Sequence, residues 1–229
     1  MLIYFIRHGH PDYKNDCLTE LGKAQAERAS ERLSTFGIEQ IYASTKGRAM
    51  ETAKYTADVI GLPIVPCDFM REISWASING DDILENGHPW NAANALASRG
   101  VSVAEREWYN MEPYCKSEIV EKVNSVTKGF DELLLKLGYG REGEYYRVVG
   151  DDTDKTIAMF SHAGSSSAVI SHLLNIPFSQ VCAFLHMDFT SIMTIKLSNE
   201  KGALICPKLW GANDAHHLLG IDKKTVYDN

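Results

Sequence analysis

The chain is poor in several features that would have pointed to particular functions. It has no apolar stretch approaching a membrane span, no internal repeat and no low-complexity segment among its 229 residues, so nothing suggests a transmembrane anchor or a solenoid. Its apolar amino-terminal run is too short for a signal-peptide core, and the expected protein is soluble and cytoplasmic. Cysteine offers no framework: Cys17, Cys67, Cys115, Cys182 and Cys206 are five in number and scattered without a Cys-x-x-Cys pair. That argues against a disulfide scaffold or a thiolate zinc site and fits a reducing compartment, with the thiols read as core residues. Positive charge is also scarce, 23 Lys and Arg against 30 Asp and Glu, for a net charge of -7. Such a surface has no general attraction for nucleic acid or an acidic membrane, and neither is expected as a partner. Any anionic ligand must find a site that is positive locally.

What is present starts with a core. At 45% hydrophobic content the chain can fill one large domain over residues 1–229. Leu2, Ile3, Phe5 and Ile6 form a short apolar run typical of a strand covered on both faces. Arg7, His8 and Gly9 follow without a spacer. The strand's carboxyl end thus presents a guanidinium and an imidazole, and open α/β sheets bind ligands at that end. A second strand, Thr156 to Phe160, exits in the same manner into Ser161-His162-Ala163-Gly164. The helix expected from Gly164 to Leu174 would aim its free N–H groups at whatever His162 touches.

Between these strands, Pro11 to Cys17 reads as a polar loop and Thr19 as the cap of a helix whose narrow face is Gly22, Ala26, Ala29, Leu33 and Phe36, with Gly37 as its stop. Gln40 to Ser44 is a strand, and the helix after it begins near Arg48, where a cation beside free N–H groups suits an oxyanion. From about residue 73 to 150 the composition changes, with Trp75, Trp90 and Trp108 clustered and turn signals at Asn79-Gly80 and Asn86-Gly87. This stretch reads as an inserted, partly helical cap on the carboxyl edge of the sheet, with helices at Pro89 to Ser98 and Ser117 to Leu137. Strands are expected at Glu144 to Val149, Thr190 to Leu197 and Ala203 to Leu209. The acidic run Asp151-Asp152-Thr153-Asp154 lacks the spacing of a calcium loop and reads as a solvated turn. His172, His186, His216 and His217 carry no ligand pattern.

In their order along the chain these motifs resemble those of the histidine phosphatase superfamily, the group that includes the phosphoglycerate mutases. Arg7-His8-Gly9 is similar to its signature tripeptide, Leu18 to Ala26 to its Leu-Thr-x-x-Gly-x-x-Gln-Ala element, and Ser44 to Ala53 to its Ser-x-x-x-Arg-Ala-x-x-Thr-Ala element. Arg71-Glu72 fits the position of its acidic residue, and Ser161 to Gly164 its second histidine motif.

The resemblance implies an α/β fold, a three-layer α/β/α sandwich on a mainly parallel central sheet. It also implies roles: His8 as the nucleophile that becomes phosphohistidine, Arg7, Arg48 and His162 as holders of the phosphoryl group together with the Ala163 backbone, and Glu72 as proton donor and acceptor. No metal or other cofactor is implied, since two guanidiniums already supply positive charge. Where many relatives carry an Asn six residues after the histidine, this chain has Lys14, with Asn15 next; either is a candidate for that phosphate contact. The Arg-His-Tyr-Gly that follows the acid in the mutases is replaced by Ile73-Ser74-Trp75-Ala76. The expected function is therefore a phosphomonoesterase acting on a small phosphorylated metabolite. The alternatives are a mutase-type phosphoryl transfer and a binding module for a phosphorylated ligand without turnover. The leaving group would be chosen by the cap, with Trp75, Trp90, Trp108 and Tyr109 as candidate aromatics. Both a monomer and a homodimer stay open.

Overall fold

Strands with apolar residues on both faces must be covered by helices on both sides, and the chain meets that demand around Leu2–Arg7. In the computed structural model, residues 1–73 and 88–221 are described. They form, in chain order, β1 (Leu2–Arg7), β2 (Pro11–Asp12), β3 (Cys17–Leu18), α1 (Glu20–Leu33), β4 (Gln40–Ser44), α2 (Gly47–Ile60), β5 (Ile64–Cys67), α3 (Pro89–Ser98), α4 (Ile119–Lys136), β6 (Tyr139–Glu142) and β7 (Tyr145–Val148). There follow β8 (Thr156–Ser161), α5 (Ala163–Leu174), α6 (Phe178–Phe184), β9 (Ile192–Lys196), β10 (Leu204–Ile205) and β11 (Lys208–Asp214).

The main sheet has six strands in the order β11-β9-β1-β8-β4-β5. β1, β8, β4 and β5 run parallel, β9 pairs antiparallel with β1, and β11 pairs antiparallel with β9 at that edge. The expected α/β/α architecture is therefore present. Alternation assigns the faces. Ile6, Ala158, Phe160 and Ile41 pack with Ala29 and Leu33 of α1 and Ala53 and Ala57 of α2. Ile3, Phe5, Ile157 and Met159 belong to the larger cluster on the other face, with Phe130 of α4 and Val169 of α5. Phe5 and Phe130 meet with ring centroids 5.6 Å apart. Each such fully buried side chain contributes about 1.5–3 kcal/mol relative to leaving it in water.

The small-residue face of α1 has a particular consequence near the strand exit. A Cβ on Gly22 would lie 2.1 Å from the carbonyl oxygen of His10, so only glycine lets the helix approach the loop after β1 this closely. Thr19 caps α1 as expected, its Oγ1 accepting from Gly22 N at 3.1 Å.

Several expectations are corrected. Pro11 to Cys17 is not a plain loop, because β2 and β3 pair antiparallel across it. α1 stops at Leu33, and Phe36 lies beyond it, packed on Tyr4 at 4.8 Å before Gly37 turns at φ 67°. The strand expected over Ala203 to Leu209 divides at Cys206-Pro207: β10 joins β7 and β11 joins β9. Proline has no N–H for a ladder, which breaks the run. The thiols are not all in the core, since Cys115 and Cys206 are exposed.

The segment 73–150 also behaves differently from a uniform roof. α4 lies in the helical layer on the sheet, and the β6-β7-β10 sheet sits beside the start of β8, where the Tyr139 hydroxyl donates to Thr153 O at 3.1 Å. The apolar stripe of α4, Val123, Val126, Phe130, Leu133 and Leu134, packs in the core cluster with Ile3, Phe5, Ile157 and Met159 of the sheet. From this segment, α3 lines the cavity beside Arg7 and Ala163 at the carboxyl edge. Trp75 lies outside the described residues. Asp151 pairs with Lys201 and Asp152 with Lys155, in keeping with a solvated turn. Among the described residues, no helix is long and apolar enough to cross a membrane.

Candidate active site

The site begins with a register. β1 and β8 align Arg7 with Ser161, so the next residues, His8 and His162, leave the sheet side by side and, by alternation, toward α2. Their rings lie 5.0 Å apart at 62°. Arg7, one residue earlier, belongs to the opposite face, where its NH1 donates to Met187 O at 2.5 Å and its guanidinium lies 4.0 Å over the Phe189 ring.

His8 is 1% exposed. Its Nδ1 is 2.7 Å from the Gly9 carbonyl oxygen; a carbonyl can only accept, which assigns the ring proton to Nδ1 and leaves the lone pair on Nε2. That lone pair accepts from Arg48 Nε at 3.2 Å. Burial, then the neighbouring Arg7 cation, lowers the His8 pKa to about 3. The imidazole is therefore neutral at physiological pH, the form required of a nucleophile.

Arg48 stands in the first turn of α2 and is itself buried. Its NH1 donates to Asp16 Oδ1 at 2.5 Å, and Asp16 Oδ2 accepts from Gly47 N at 2.9 Å. Burial raises the Asp16 pKa, but the Gly47 N–H and the Arg48 cation outweigh it and hold the carboxyl below its ordinary value. Asp16 thus fixes the orientation of Arg48. Thr52, one turn along α2, accepts from Gly9 N at 3.0 Å and donates to Arg48 O at 2.7 Å, locking the turn after His8 to the same helix.

His162 is fully buried, with Nε2 2.8 Å from Ser44 Oγ at the end of β4. Burial first, and then the nearby His8 and arginines, holds its pKa well below the usual histidine value. Its Nδ1 and the Nε of Arg7 are buried polar atoms without a protein partner. Such atoms are rare in folded proteins, and here they belong to the residue just before His8 and to the imidazole whose ring centroid lies 5.0 Å from that of His8.

Glu72 closes the arrangement at the start of α5. Its Oε1 accepts from Ser165 N at 3.2 Å and from Ile73 N at 3.0 Å. Burial raises its pKa above the ordinary carboxylate value, against the pull of those N–H groups and of Arg7 and Arg48. A Cβ on Gly164 would lie 2.6 Å from Glu72 Oε1, so the carboxylate reaches the helix terminus because residue 164 is glycine. The site sits beside a cavity of about 420 Å³ lined by Arg7, Ala163, Trp90, Asn94 and Phe184 among others.

Five of the expected residues, Arg7, His8, Arg48, Glu72 and His162, are thus brought together, with Ala163 at the cavity wall. Lys14 and Asn15 are not joined to them. Both are exposed on the loop between β2 and β3, where Asn15 Nδ2 donates to Asp12 Oδ2 at 2.7 Å and the Lys14 N–H to Asp12 Oδ1 at 3.0 Å. Asp16, which follows them at φ 50°, is the loop residue that pairs with Arg48. The sequence held one signal for it, an acidic residue directly after the Lys14 and Asn15 candidates, and no indication of its partner. Tyr13 was likewise unassigned; its ring lies 5.4 Å from the Arg48 guanidinium. Trp108 is core, packed on Tyr114 and Phe178, and Tyr109 lines a separate cavity. Among the described residues no group of three or more His, Cys, Asp or Glu is placed to hold a metal ion.

A family model described as the histidine phosphatase superfamily (branch 1) matches residues 3–208. A probable phosphoglycerate mutase of Yersinia pestis is 27% identical over 117 residues, which is 46% of this chain and 54% of that protein. The chain therefore spans about half the length of the curated relatives it matches. Among solved structures, a mycobacterial glucosyl-3-phosphoglycerate phosphatase with VO3 bound aligns with TM-score 0.63 and 22% identity, covering 93% of this chain and 99% of that one. A phosphoserine phosphatase of Entamoeba histolytica with 3-phosphoglyceric acid aligns with TM-score 0.62 and 21% identity, covering 95% and 98%. At these identities the two structures establish the fold.

Proposed function

Since the chain belongs to the histidine phosphatase superfamily, we propose that it is a cytoplasmic, metal-independent phosphomonoesterase that hydrolyses a small phosphate ester through a phosphohistidine on His8. The observation that carries this reading is the pair of buried, unpartnered atoms, Arg7 Nε and His162 Nδ1, beside a neutral imidazole whose lone pair is on Nε2. A phosphoryl group in line with Nε2 offers oxygens to both, as well as to the Arg48 guanidinium.

In the first step the Nε2 lone pair attacks phosphorus and the P–O bond to the leaving alcohol breaks. Glu72, whose pKa burial raises, gives a proton to the departing oxygen. In the second step Glu72, now a carboxylate, takes a proton from water as that water attacks phosphorus. The P–N bond breaks, inorganic phosphate leaves and His8 is neutral again. Arg7, Arg48 and His162 hold the charge that builds on the equatorial oxygens, and removing one such donor costs on the order of a hundredfold or more in turnover. α3, from the 73–150 segment, would serve as the wall against which the leaving alcohol rests. The cytoplasmic assignment rests on the five free thiols and their lack of pairing.

The test is phosphate release from an aryl phosphate with chelator present, by the wild type and by His8→Ala. Release that survives chelation and is lost in the variant is expected; release that persists in His8→Ala overturns the assignment. A mutase would use the same three phosphoryl-holding groups but return an isomer of its substrate, which product analysis separates from free phosphate.

A further inference from the structure

The cavity beside Arg7 has a chemistry of its own. One wall is α3, with Trp90 and Asn94; the facing wall is the end of α6 and the segment after it, Phe184 to Met187. This segment does two things at once. Its Met187 carbonyl fixes Arg7 NH1 at 2.5 Å, and its side chains form the surface a leaving group would meet. Phe184 is 78% exposed, a large ring left in contact with water at the mouth of the cavity. Trp90 is held in place by the His88 ring stacked on it, 4.6 Å away at 10°.

The charges are as informative as the rings. Among the described residues lining the cavity, Arg7 is the only permanent cation, and it already belongs to the phosphoryl group. His186 is the one other basic lining residue, and its Nε2 is 3.0 Å from Asp188 Oδ1. The Asp188 carboxylate, 2% exposed, also accepts from Asn213 Nδ2 at 2.9 Å. Cys182 is kept as a thiol by burial. A carboxylate on the leaving group would therefore find, among the described lining residues, no permanent cation beyond Arg7 to compensate its partial loss of water, an arrangement that is costly to form. The amide of Asn94 and the flat faces of Trp90 and Phe184 suit a neutral ring that carries hydroxyl groups or another hydrogen-bonding substituent.

Resting on the phosphatase reading of the same site, we infer that the leaving group is a neutral, ring-bearing alcohol, selected by Trp90, Asn94 and Phe184, and not a carboxylate-bearing one. A sugar and a phenol share that chemistry, and the substrates below separate them.

The experiment has two readouts. The first is kcat/KM for phosphate release by the wild type from a hexose 6-phosphate and an aryl phosphate, compared with 3-phosphoglycerate and phosphoserine. The ring esters are expected to lead by about tenfold or more, a difference of about 1.4 kcal/mol in transition-state binding. Whichever ring ester leads identifies the sugar or the phenol as the better fit. Phe184→Ala is expected to raise KM for the ring esters about fivefold or more while changing kcat less, and Asn94→Lys to shift the preference toward the carboxylate esters by a similar factor. The second readout is calorimetric binding of the same esters to His8→Ala, which needs no turnover. Ring esters that bind His8→Ala more tightly, in a protein whose wild type releases no phosphate, would uphold this inference and bring down the phosphatase reading. Equal or stronger turnover and binding of the carboxylate esters would overturn the inference and leave the phosphatase reading standing.

Discussion

Arg48 Nε lies 3.2 Å from His8 Nε2, so the guanidinium that would grip the transferred phosphoryl group also marks the nitrogen that would receive it. The contact lets Arg48 hold the imidazole in place before substrate arrives and turn its donors to phosphoryl oxygens afterwards. Arg48→Lys replaces a planar fork with a point charge. It is expected to lower kcat on the order of a hundredfold or more, measured in steady-state phosphate release.

Asp16 is expected to act only through Arg48, which it holds at 2.5 Å. Asp16→Ala removes the orienting carboxylate and leaves His8, Arg48, Glu72 and His162 themselves unaltered. A drop in kcat of roughly tenfold to a hundredfold is expected from misplacement alone, with KM for phosphate esters rising less. Unchanged kcat would show that α2 fixes Arg48 without help.

Gly164→Ala separates catalysis from stability. The added Cβ meets Glu72 Oε1 at 2.6 Å, whereas alanine inside α5 is the better helix former by about 0.5–1 kcal/mol. The variant is expected to unfold at the same or a higher denaturant concentration. It should also lose about tenfold or more in activity on alkyl phosphates, whose leaving oxygen needs a proton.

The raised pKa of Glu72 predicts an alkaline limb. As pH rises through that pKa, the acid is lost and kcat/KM for alkyl phosphates falls, at a pH above the ordinary carboxylate range. Glu72→Gln should abolish that limb and lower the rate about 10²- to 10⁴-fold. Aryl phosphates, which leave without protonation, should be affected less. A pH profile with both substrate types is the measurement.

Acid stability should follow His8 in the opposite direction. Above the unfolded histidine value of about 6.5 the ring is neutral in both states and contributes no slope. Below it the unfolded chain takes up a proton that folded His8, with its pKa near 3, does not. Stability is therefore lost as pH falls, by about 1.4 kcal/mol per unit for each such histidine. Glu72 works against this near its own titration, because the folded protein keeps that proton to higher pH. Denaturant midpoints for wild type and His8→Asn between about pH 6 and pH 4 should diverge in gradient by about one proton's worth.

His8, His162 and Arg48, which the fold brings together, were legible because each sits where a strong local pattern ends. His8 and His162 follow apolar strands, and Arg48 opens a helix with an alanine stripe, so composition placed all three at the carboxyl edge of one sheet. Glu72 could be found only through the family resemblance, since its function depends on the approach to Gly164 from a distant helix. Asp16 was not found, because a positive φ and an ion pair with another element are tertiary facts. The same limit explains Lys14 and Asn15, whose spacing from His8 suggested the pocket but whose contacts turn to Asp12. It also explains α4: an amphipathic helix looks the same in sequence whether it roofs a site or lines a sheet.

The pairing of Leu2 with Thr156 and of Arg7 with Ser161 also sets a timetable. During synthesis the first strand leaves the ribosome long before its parallel partner exists, and a contact of this sequence separation closes slowly. Until β8 arrives, an apolar strand waits with an unfilled edge, the kind of surface that chaperones hold and aggregates recruit. His8 and Arg48 become neighbours only when that late strand docks, because β8 lies between β1 and β4. A nascent or truncated chain ending before Thr156 would carry Arg7, His8, Arg48 and Glu72 in full and still be an inert, sticky fragment.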